Sequence, residues 1–325
     1  MRTLIPSGPA RVVVRQHRRA LQAVSLLPVL VIAALVGVLL WTGHIADTFD
    51  ATDCSTEKRV PGCDQTVRDF IDNQMWLQNA LAWAGGLTIV LPALVGAFVA
   101  GPLIARELES GTYKLAWTQS VSPARWLAAK LAVPAVLTLA ATSVLTAAYA
   151  WFRWQQEGSY YGETPWYDRF VYGAFGTVPV AYALLGLALG ALAGLLVRRT
   201  VVAMSVTVLA TGLVVLALST VRSSLWPVRT QSVALKEFNG FPNDALVVEN
   251  GWLTTSGTRL PPDLCWDPAN DLKECLADHD VTSRYIDYHP VSHFWPLQLV
   301  ETGILLALAA IAVALAFRVL RRLHS

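Results

Sequence analysis

Long apolar stretches without charges alternate with short charged segments along this chain of 325 residues. A helix that crosses a bilayer needs about 20 mostly apolar residues, and five of these stretches reach that length outright. Such a helix satisfies its own backbone hydrogen bonds inside lipid, which an open strand does not. The pattern therefore predicts six membrane-spanning helices, at about 22–43, 79–104, 128–151, 173–197, 201–220 and 295–317.

The composition agrees with a chain that lies mostly in lipid. Hydrophobic residues make up 54% of it, charged residues only 15%, and the mean hydropathy is +0.45. A soluble globular protein carries about 25% charged residues, so this chain lacks the charge that a water-facing surface needs. These values exclude a soluble enzyme, a disordered chain and a nucleic-acid-binding domain. The expected fold class is an all-α polytopic membrane protein.

The distribution of charge predicts the orientation of the spans. Six spans place both termini on one side of the membrane, together with the loops between spans 2 and 3 and between spans 4 and 5. That side carries 14 of the 25 Lys and Arg residues and only two of the 23 Asp and Glu residues. Because basic loops remain in the cytoplasm, we expect cytoplasmic termini in a multi-pass protein of the cell membrane. The outer loops are then 44–78, 152–172 and 221–294.

All four cysteines lie in predicted outer loops. Cys54 and Cys63 precede span 2, whereas Cys265 and Cys275 lie between spans 5 and 6. Four cysteines allow three pairings, of which the pairing of neighbours within each loop is favoured. Disulfides persist outside the cytoplasm. Metal binding is the alternative, but the chain has no CxxC spacing and no flanking histidine pair.

Two segments outside the spans have a character of their own. Residues 1–21 interleave arginines with valine, alanine and leucine, which favours an amphipathic helix on the inner membrane surface; an ordinary basic tail is the alternative. The loop 221–294 contains scattered Pro, Gly and Asn. We interpret it as an irregular cap packed on the bundle rather than as a separate domain.

Span 4 carries a doubled GxxxG pattern at Gly186, Gly190 and Gly194. Glycines four residues apart share one helix face and let another helix approach closely. The pattern favours packing within one subunit, with a seam between two subunits as the alternative.

No catalytic, cofactor-binding or metal-binding constellation is visible in the sequence. It has no GxxxxGK[ST] phosphate-binding loop and no HExxH motif. Asp, Lys and Arg are absent from the centres of the spans, which argues against an ion-coupled carrier. Glu301 lies toward the outer end of span 6, either as a solvated or paired carboxylate or as a polar point at the exit of a pathway.

The connection between spans 2 and 3 carries the most specific pattern. It contains Glu107 and Glu109, then Gly111-Thr112, then Ser122-Pro123-Ala124-Arg125, and Lys130 downstream. This arrangement resembles bacterial ABC-2-type transporter permeases, in which an acidic stretch closes span 2 and is followed by Gly-Thr, a short helix and a Ser-x-x-Arg entry to span 3. The resemblance extends to the basic N-terminal helix, the six spans and the long outer loop before span 6.

In that family this connection is the coupling helix, which docks on a separately encoded ATPase. The residues from Thr112 to Gln119 suit a helix of two turns, and Ser122-Pro123 suits the start of span 3. Exposed Tyr and Trp side chains are typical anchors for a protein partner, although they also rest at membrane interfaces. The two acids would pair with the ATPase or, alternatively, neutralise Arg106 and Lys114. The predicted coupling residues are Arg106, Glu107, Glu109, Gly111, Thr112, Tyr113, Leu115 and Trp117.

The resemblance implies the permease subunit of an ATP-driven ABC exporter that moves an amphipathic or hydrophobic compound by alternating access. No cofactor is expected on this chain, because ATP and Mg belong to two copies of the ATPase. A second copy of the permease or a paralogue, and the lipid bilayer, are the other expected partners. Two copies would place spans 2 and 5 around a central cavity. The candidate lining residues are Asn79, Thr88, Thr207, Thr211 and Glu301.

Two alternatives stay open from the sequence. One is a drug-efflux, antibiotic-efflux or self-immunity permease of the same fold. The other belongs to a different class, a membrane-embedded enzyme that acts on lipid-linked substrates through acids of the 222–293 loop. Against the enzyme, those acids are evenly scattered, as on a solvated face, and do not gather around a histidine.

Overall fold

The computed structural model describes residues 18–58, 60–114, 122–155, 164–238, 240, 242, 244–266 and 271–324. Within these ranges, six helices are long and apolar enough to cross a membrane. The chain folds into two compact units. The helical unit comprises the residues up to Thr164, Asp168–Ala217 and the residues from Thr302 onward. The sheet unit comprises Pro165–Tyr167 and Leu218–Glu301.

The helices confirm the six predicted spans, and most of them extend beyond the predicted bounds. The first 17 residues of the predicted N-terminal helix lie outside the described residues, and residues 18–21 open the first span. The helices are α1 (Arg18–Asp50), α2 (Asp64–Val95), α3 (Gly101–Ser110), α4 (Pro123–Trp154), α5 (Arg169–Tyr172), α6 (Val178–Val197), α7 (Thr200–Val221), α8 (Leu272–Asp278) and α9 (Phe294–His324).

Span 2 is a long helical run in which α2 and α3 are joined by the π-helical turn Gly96–Ala100. The run covers 47 residues, from Asp64 to Ser110. At a rise of about 1.5 Å per residue it is roughly 70 Å long, whereas the hydrocarbon core of a bilayer is about 30 Å thick. The run therefore extends well beyond the apolar segment that the sequence predicted, and its last turn leads directly into the loop before span 3.

The glycines of α6 pack against this run within the same chain, as the sequence favoured. A Cβ atom on Gly186 would lie 2.2 Å from the carbonyl oxygen of Pro92, and one on Gly190 would lie 2.3 Å from that of Gly96. A Cβ on Gly194 would lie 3.0 Å from the carbonyl oxygen of Gly101. Only hydrogen atoms fit into these gaps, so the glycines set the distance between the two helices.

The expected helical membrane fold is confirmed, but the sheet unit corrects one expectation, because the 221–294 loop is not an irregular cap. Its strands β1 (Arg229–Ala234), β2 (Leu246–Thr254), β3 (Arg259–Leu260) and β4 (Val281–His289) form one antiparallel sheet in the order β1-β4-β2-β3. The central strand β4 is rich in β-branched and aromatic residues, which favour strands.

Side chains on both faces hold this sheet together. Trp252, Leu276 and Val281 form its buried apolar cluster. Asp287 on β4 is buried and accepts hydrogen bonds from Thr230 and from Arg259. Burial opposes the ionisation of this carboxyl, but the bonds from Thr230 and Arg259 outweigh it and hold the pKa of Asp287 below its ordinary value. The sheet unit is therefore a small folded body with its own core.

Both disulfides join neighbouring cysteines of one loop, the pairing that the sequence favours. The Cα atoms of Cys54 and Cys63 are 5.6 Å apart, and those of Cys265 and Cys275 are 6.0 Å apart. We expect peptide mapping of the unreduced protein from its native membrane to recover both linked peptides. The same digest after reduction is the control. Free thiols at all four positions would contradict both the pairing and an extracytoplasmic location of these loops.

Candidate functional site

The predicted coupling residues begin on the last two turns of α3. Arg106, Glu107 and Glu109 lie on this helix, which ends where Gly111 adopts a φ of 75°. Glycine reaches this left-handed conformation without steric strain and commonly terminates a helix. The chain then turns, and a new helical turn begins at Tyr113. Leu115 and Trp117 lie outside the described residues. We call residues 106–122 the span 2–3 loop.

Glu107 joins α3 to α4. Its Oε1 atom accepts a hydrogen bond of 2.7 Å from Lys130 Nζ, and its Oε2 atom accepts one of 3.1 Å from Trp126 Nε1. Lys130 also donates to the carbonyl oxygen of Leu103 at 3.2 Å, and only 4% of this lysine is exposed. Charge-assisted hydrogen bonds of this kind are strong. Glu107 is therefore paired within the chain with Lys130, a partner that the sequence did not indicate.

Glu109 joins α3 to α7. Its Oε2 atom accepts hydrogen bonds from the backbone nitrogen of Thr200, at 3.0 Å, and from the Thr200 hydroxyl, at 2.7 Å. Thr200 is the first residue of α7. The first amides of a helix have no partner within the helix, and its N-terminus favours a negative charge. Glu109 therefore caps α7 from another segment of the chain.

The loop re-enters the bundle as the sequence predicted. The Ser122 hydroxyl accepts a hydrogen bond from the backbone nitrogen of Arg125, and Pro123 occupies the first turn of α4. Tyr113 is only half-exposed, because it packs against a buried cluster that includes Leu108 and Trp126. Part of the predicted aromatic anchor is thus covered by the chain itself.

Three basic side chains are exposed around this loop. Arg106, Lys114 and Arg125 are exposed, whereas the carboxylates of Glu107 and Glu109 accept hydrogen bonds from α4 and α7. This arrangement suits binding to an acidic protein surface rather than acid–base catalysis. The sequence did not indicate that Trp126 and Thr200 bind these two carboxylates.

The candidate pathway residues differ in their exposure within the single chain. Thr88, Thr207 and Thr211 are buried inside the helical unit, each at most 1% exposed, whereas Asn79 is exposed. The hydroxyls of Thr88 and Thr207 donate to the carbonyl oxygens of Ala84 and Ala203 on their own helices. Within an apolar span this back-bonding satisfies the hydroxyl locally, so no water-filled cavity is needed to solvate it.

Glu301 is a buried paired carboxylate, the first of the two alternatives that the sequence left open. Its Oε2 atom accepts a hydrogen bond of 3.0 Å from Arg222 Nε, and its side chain is fully buried. Arg222 lies in the short 3-10 turn Arg222–Ser224, directly after α7. The pair therefore ties the end of span 5 to the beginning of span 6.

The six apolar helices are those of a multi-pass membrane protein. Residues 29–222, well over half of the chain, match the family described as ABC-2 membrane transporter related. The chain belongs to this family, and the resemblance found in the sequence is confirmed. The match covers spans 1–5 and the span 2–3 loop, and it ends before the first strand of the sheet unit. Comparison with curated proteins and comparison with solved structures give no match.

Family membership identifies the chain, in general terms, as the membrane subunit of an ABC transporter. Such a subunit works in the membrane together with an ABC ATPase.

Proposed function

We propose that this chain is the permease of an ATP-driven ABC exporter that moves an amphipathic or hydrophobic compound out of the cell. Two copies of the permease, or one copy and a paralogue, would work with two ATPase subunits that carry ATP and Mg. The observation that carries this proposal is the match to the ABC-2 family over residues 29–222. The termini and the span 2–3 loop are cytoplasmic in this proposal, which the excess of Lys and Arg on that side supports.

The span 2–3 loop is the proposed docking element. It lies at the end of the long helical run of span 2, and the basic side chains of Arg106, Lys114 and the adjacent Arg125 are exposed. A partner with an acidic groove fits this surface, because complementary charge fixes the register of an interface. Trp117 is then the main aromatic anchor for the ATPase, since Tyr113 packs against the buried cluster of its own chain.

The apolar character of the spans supports the class of cargo. The span centres carry no Asp, Lys or Arg, and a charged compound would have to shed its water without compensation on such a path. The same argument holds for drug or antibiotic efflux and for self-immunity, which differ from the proposal only in the physiological compound.

The function is tested by purifying the tagged full chain from membranes of its native host. We expect an ATPase with a phosphate-binding loop to co-purify. We also expect its ATP turnover to be faster in the reconstituted complex than for the ATPase alone. An untagged strain is the control for adventitious binding. If the chain is recovered without such an ATPase under mild solubilisation, the proposal is wrong.

Replacing Trp117 by alanine is expected to reduce the recovery of that ATPase about 30-fold, because truncation of an aromatic hot spot commonly costs about 2 kcal/mol of binding. The double variant Tyr113→Ala/Trp117→Ala should lose at least as much. The matched control is Trp266→Ala in the sheet unit, where the indole is 82% exposed. Recovery of the ATPase by the Trp117 variant at the level of this control would contradict docking through the loop.

A further inference from the structure

The last turn of α3 carries two carboxylates that bind two other helices of the bundle. Glu107 binds Trp126 and Lys130 of α4, and Glu109 binds Thr200 at the start of α7. We infer that these two acids form a clamp that transmits displacement of the span 2–3 loop to α4 and α7 together. This inference rests on the proposed function, since it assigns a role to residues next to the proposed docking element.

The helix geometry explains why one turn reaches two neighbours. Residues two positions apart on an α-helix point about 200° from each other. Glu107 and Glu109 therefore leave opposite sides of α3, and each finds a different helix. A rotation or translation of this turn moves both contacts at once.

The two contacts of the clamp, one from Glu107 to α4 and one from Glu109 to α7, are its two arms, and they differ in burial. The side chain of Glu107 is 13% exposed and that of Lys130 is 3% exposed, so this arm is part of the core and fixes α3 on α4. Glu109 is exposed, and its bonds to Thr200 lie at the surface. An exposed carboxylate can exchange its protein donors for water at little cost. The arm to α7 is thus the one that can open and close during a transport cycle.

A conformational change needs a contact that differs between two states. Release of Glu109 from Thr200 would leave the first amides of α7 without their cap. The return of Glu109 would restore this cap. Glu109 is a positioning residue in this account, because it acts through α7 and touches neither ATP nor cargo. Its removal should leave docking of the ATPase intact and reduce only the coupling.

The experiment uses the complex of full chain and co-purified ATPase, reconstituted in nanodiscs. The variants are Glu109→Ala, Thr200→Val and the conservative Thr200→Ser, which keeps the hydroxyl that Glu109 binds. The matched control is Glu57→Ala, an exposed acid in the loop between α1 and α2. The readouts are the amount of co-purified ATPase, the thermal stability of the permease and the stimulation of ATP turnover by the permease.

We expect Glu109→Ala and Thr200→Val to retain the ATPase and their thermal stability but to lose stimulation about fivefold or more, the lower range of typical coupling effects. Thr200→Ser and Glu57→Ala should behave as wild type. Loss of the ATPase from Glu109→Ala would show direct contact with the partner and overturn the inference, as would unchanged stimulation. Equal loss in Thr200→Ser and Thr200→Val would overturn it too. If the wild type retains no ATPase, the proposed function itself fails, and the inference falls with it.

Discussion

Replacing Gly190 by alanine is expected to destabilise the helical unit by about 2–3 kcal/mol, the upper range for an overpacked core. The added methyl group would lie 2.3 Å from the carbonyl oxygen of Gly96 and 3.0 Å from the Cβ of Ala100. The closest atom belongs to backbone, so no side chain can rotate away from it. α6 must instead move off the helical run of span 2. The effect is measured as the thermal unfolding temperature of the solubilised protein. Loss of monodisperse elution after heating reports the same unfolding.

The matched control is Gly212→Ala in α7, where a Cβ meets nothing within 4 Å. There alanine should be neutral or slightly stabilising, because its helix propensity exceeds that of glycine by about 1 kcal/mol. Gly194→Ala should fall between the two, since its closest atom is at 3.0 Å. If all three variants unfold at the same temperature, close packing at Gly190 does not determine the stability of the bundle.

The spans could be predicted because lipid imposes one simple requirement, an apolar length. The helix ends could not, because nothing forces a helix to stop at the membrane surface. α2 begins at Asp64, although the apolar stretch begins near residue 79, since the polar residues between them are compatible with a helix that continues into water. The same reasoning explains why α9 extends to His324.

The sheet unit was missed for a different physical reason. Two of its strands, β1 and β3, have only six and two residues, so they carry little periodicity of their own. The sheet depends on partners far along the chain, because β1 and β2 both pair with β4. Scattered Pro, Gly and Asn between such strands have the composition of an irregular loop. The enrichment of β4 in β-branched and aromatic residues from Val281 to His289 was the available signal.

At the candidate site, the sequence predicted the start of α4 but not the partners of the two acids on α3. Ser122 and Pro123 start α4 as predicted, because capping depends on neighbours within three residues. Glu107 and Glu109 bind side chains 23 and 91 residues further along the chain. Such contacts depend on how the helices pack, which local patterns do not contain. The predicted cytoplasmic side has so many basic residues that the sequence did not distinguish the buried Lys130 from the exposed ones.

Replacing Lys130 by methionine is expected to destabilise the helical unit by about 3 kcal/mol, because removal of one partner from a buried ion pair commonly costs about 3–5 kcal/mol. The variant leaves the carboxylate of Glu107 in a site where its side chain is 13% exposed. The hydrogen bond from Trp126 Nε1 remains, which places the effect at the lower end of that range. Methionine fills the volume of the lysine stem, so the loss reports the unpaired charge and not a cavity.

The double variant Glu107→Gln/Lys130→Met separates this cause from a simple packing defect. Its amide oxygen still accepts the hydrogen bond from Trp126, and no charge stays buried. Replacement of both partners of a buried ion pair is often close to neutral, so the double variant should recover most of the thermal stability that Lys130→Met loses. Equal stability of Lys130→Met and wild type would show that the ion pair is not closed in the membrane. A double variant as unstable as the single one would assign the loss to the lysine stem, because only the charge on Glu107 differs between the two proteins.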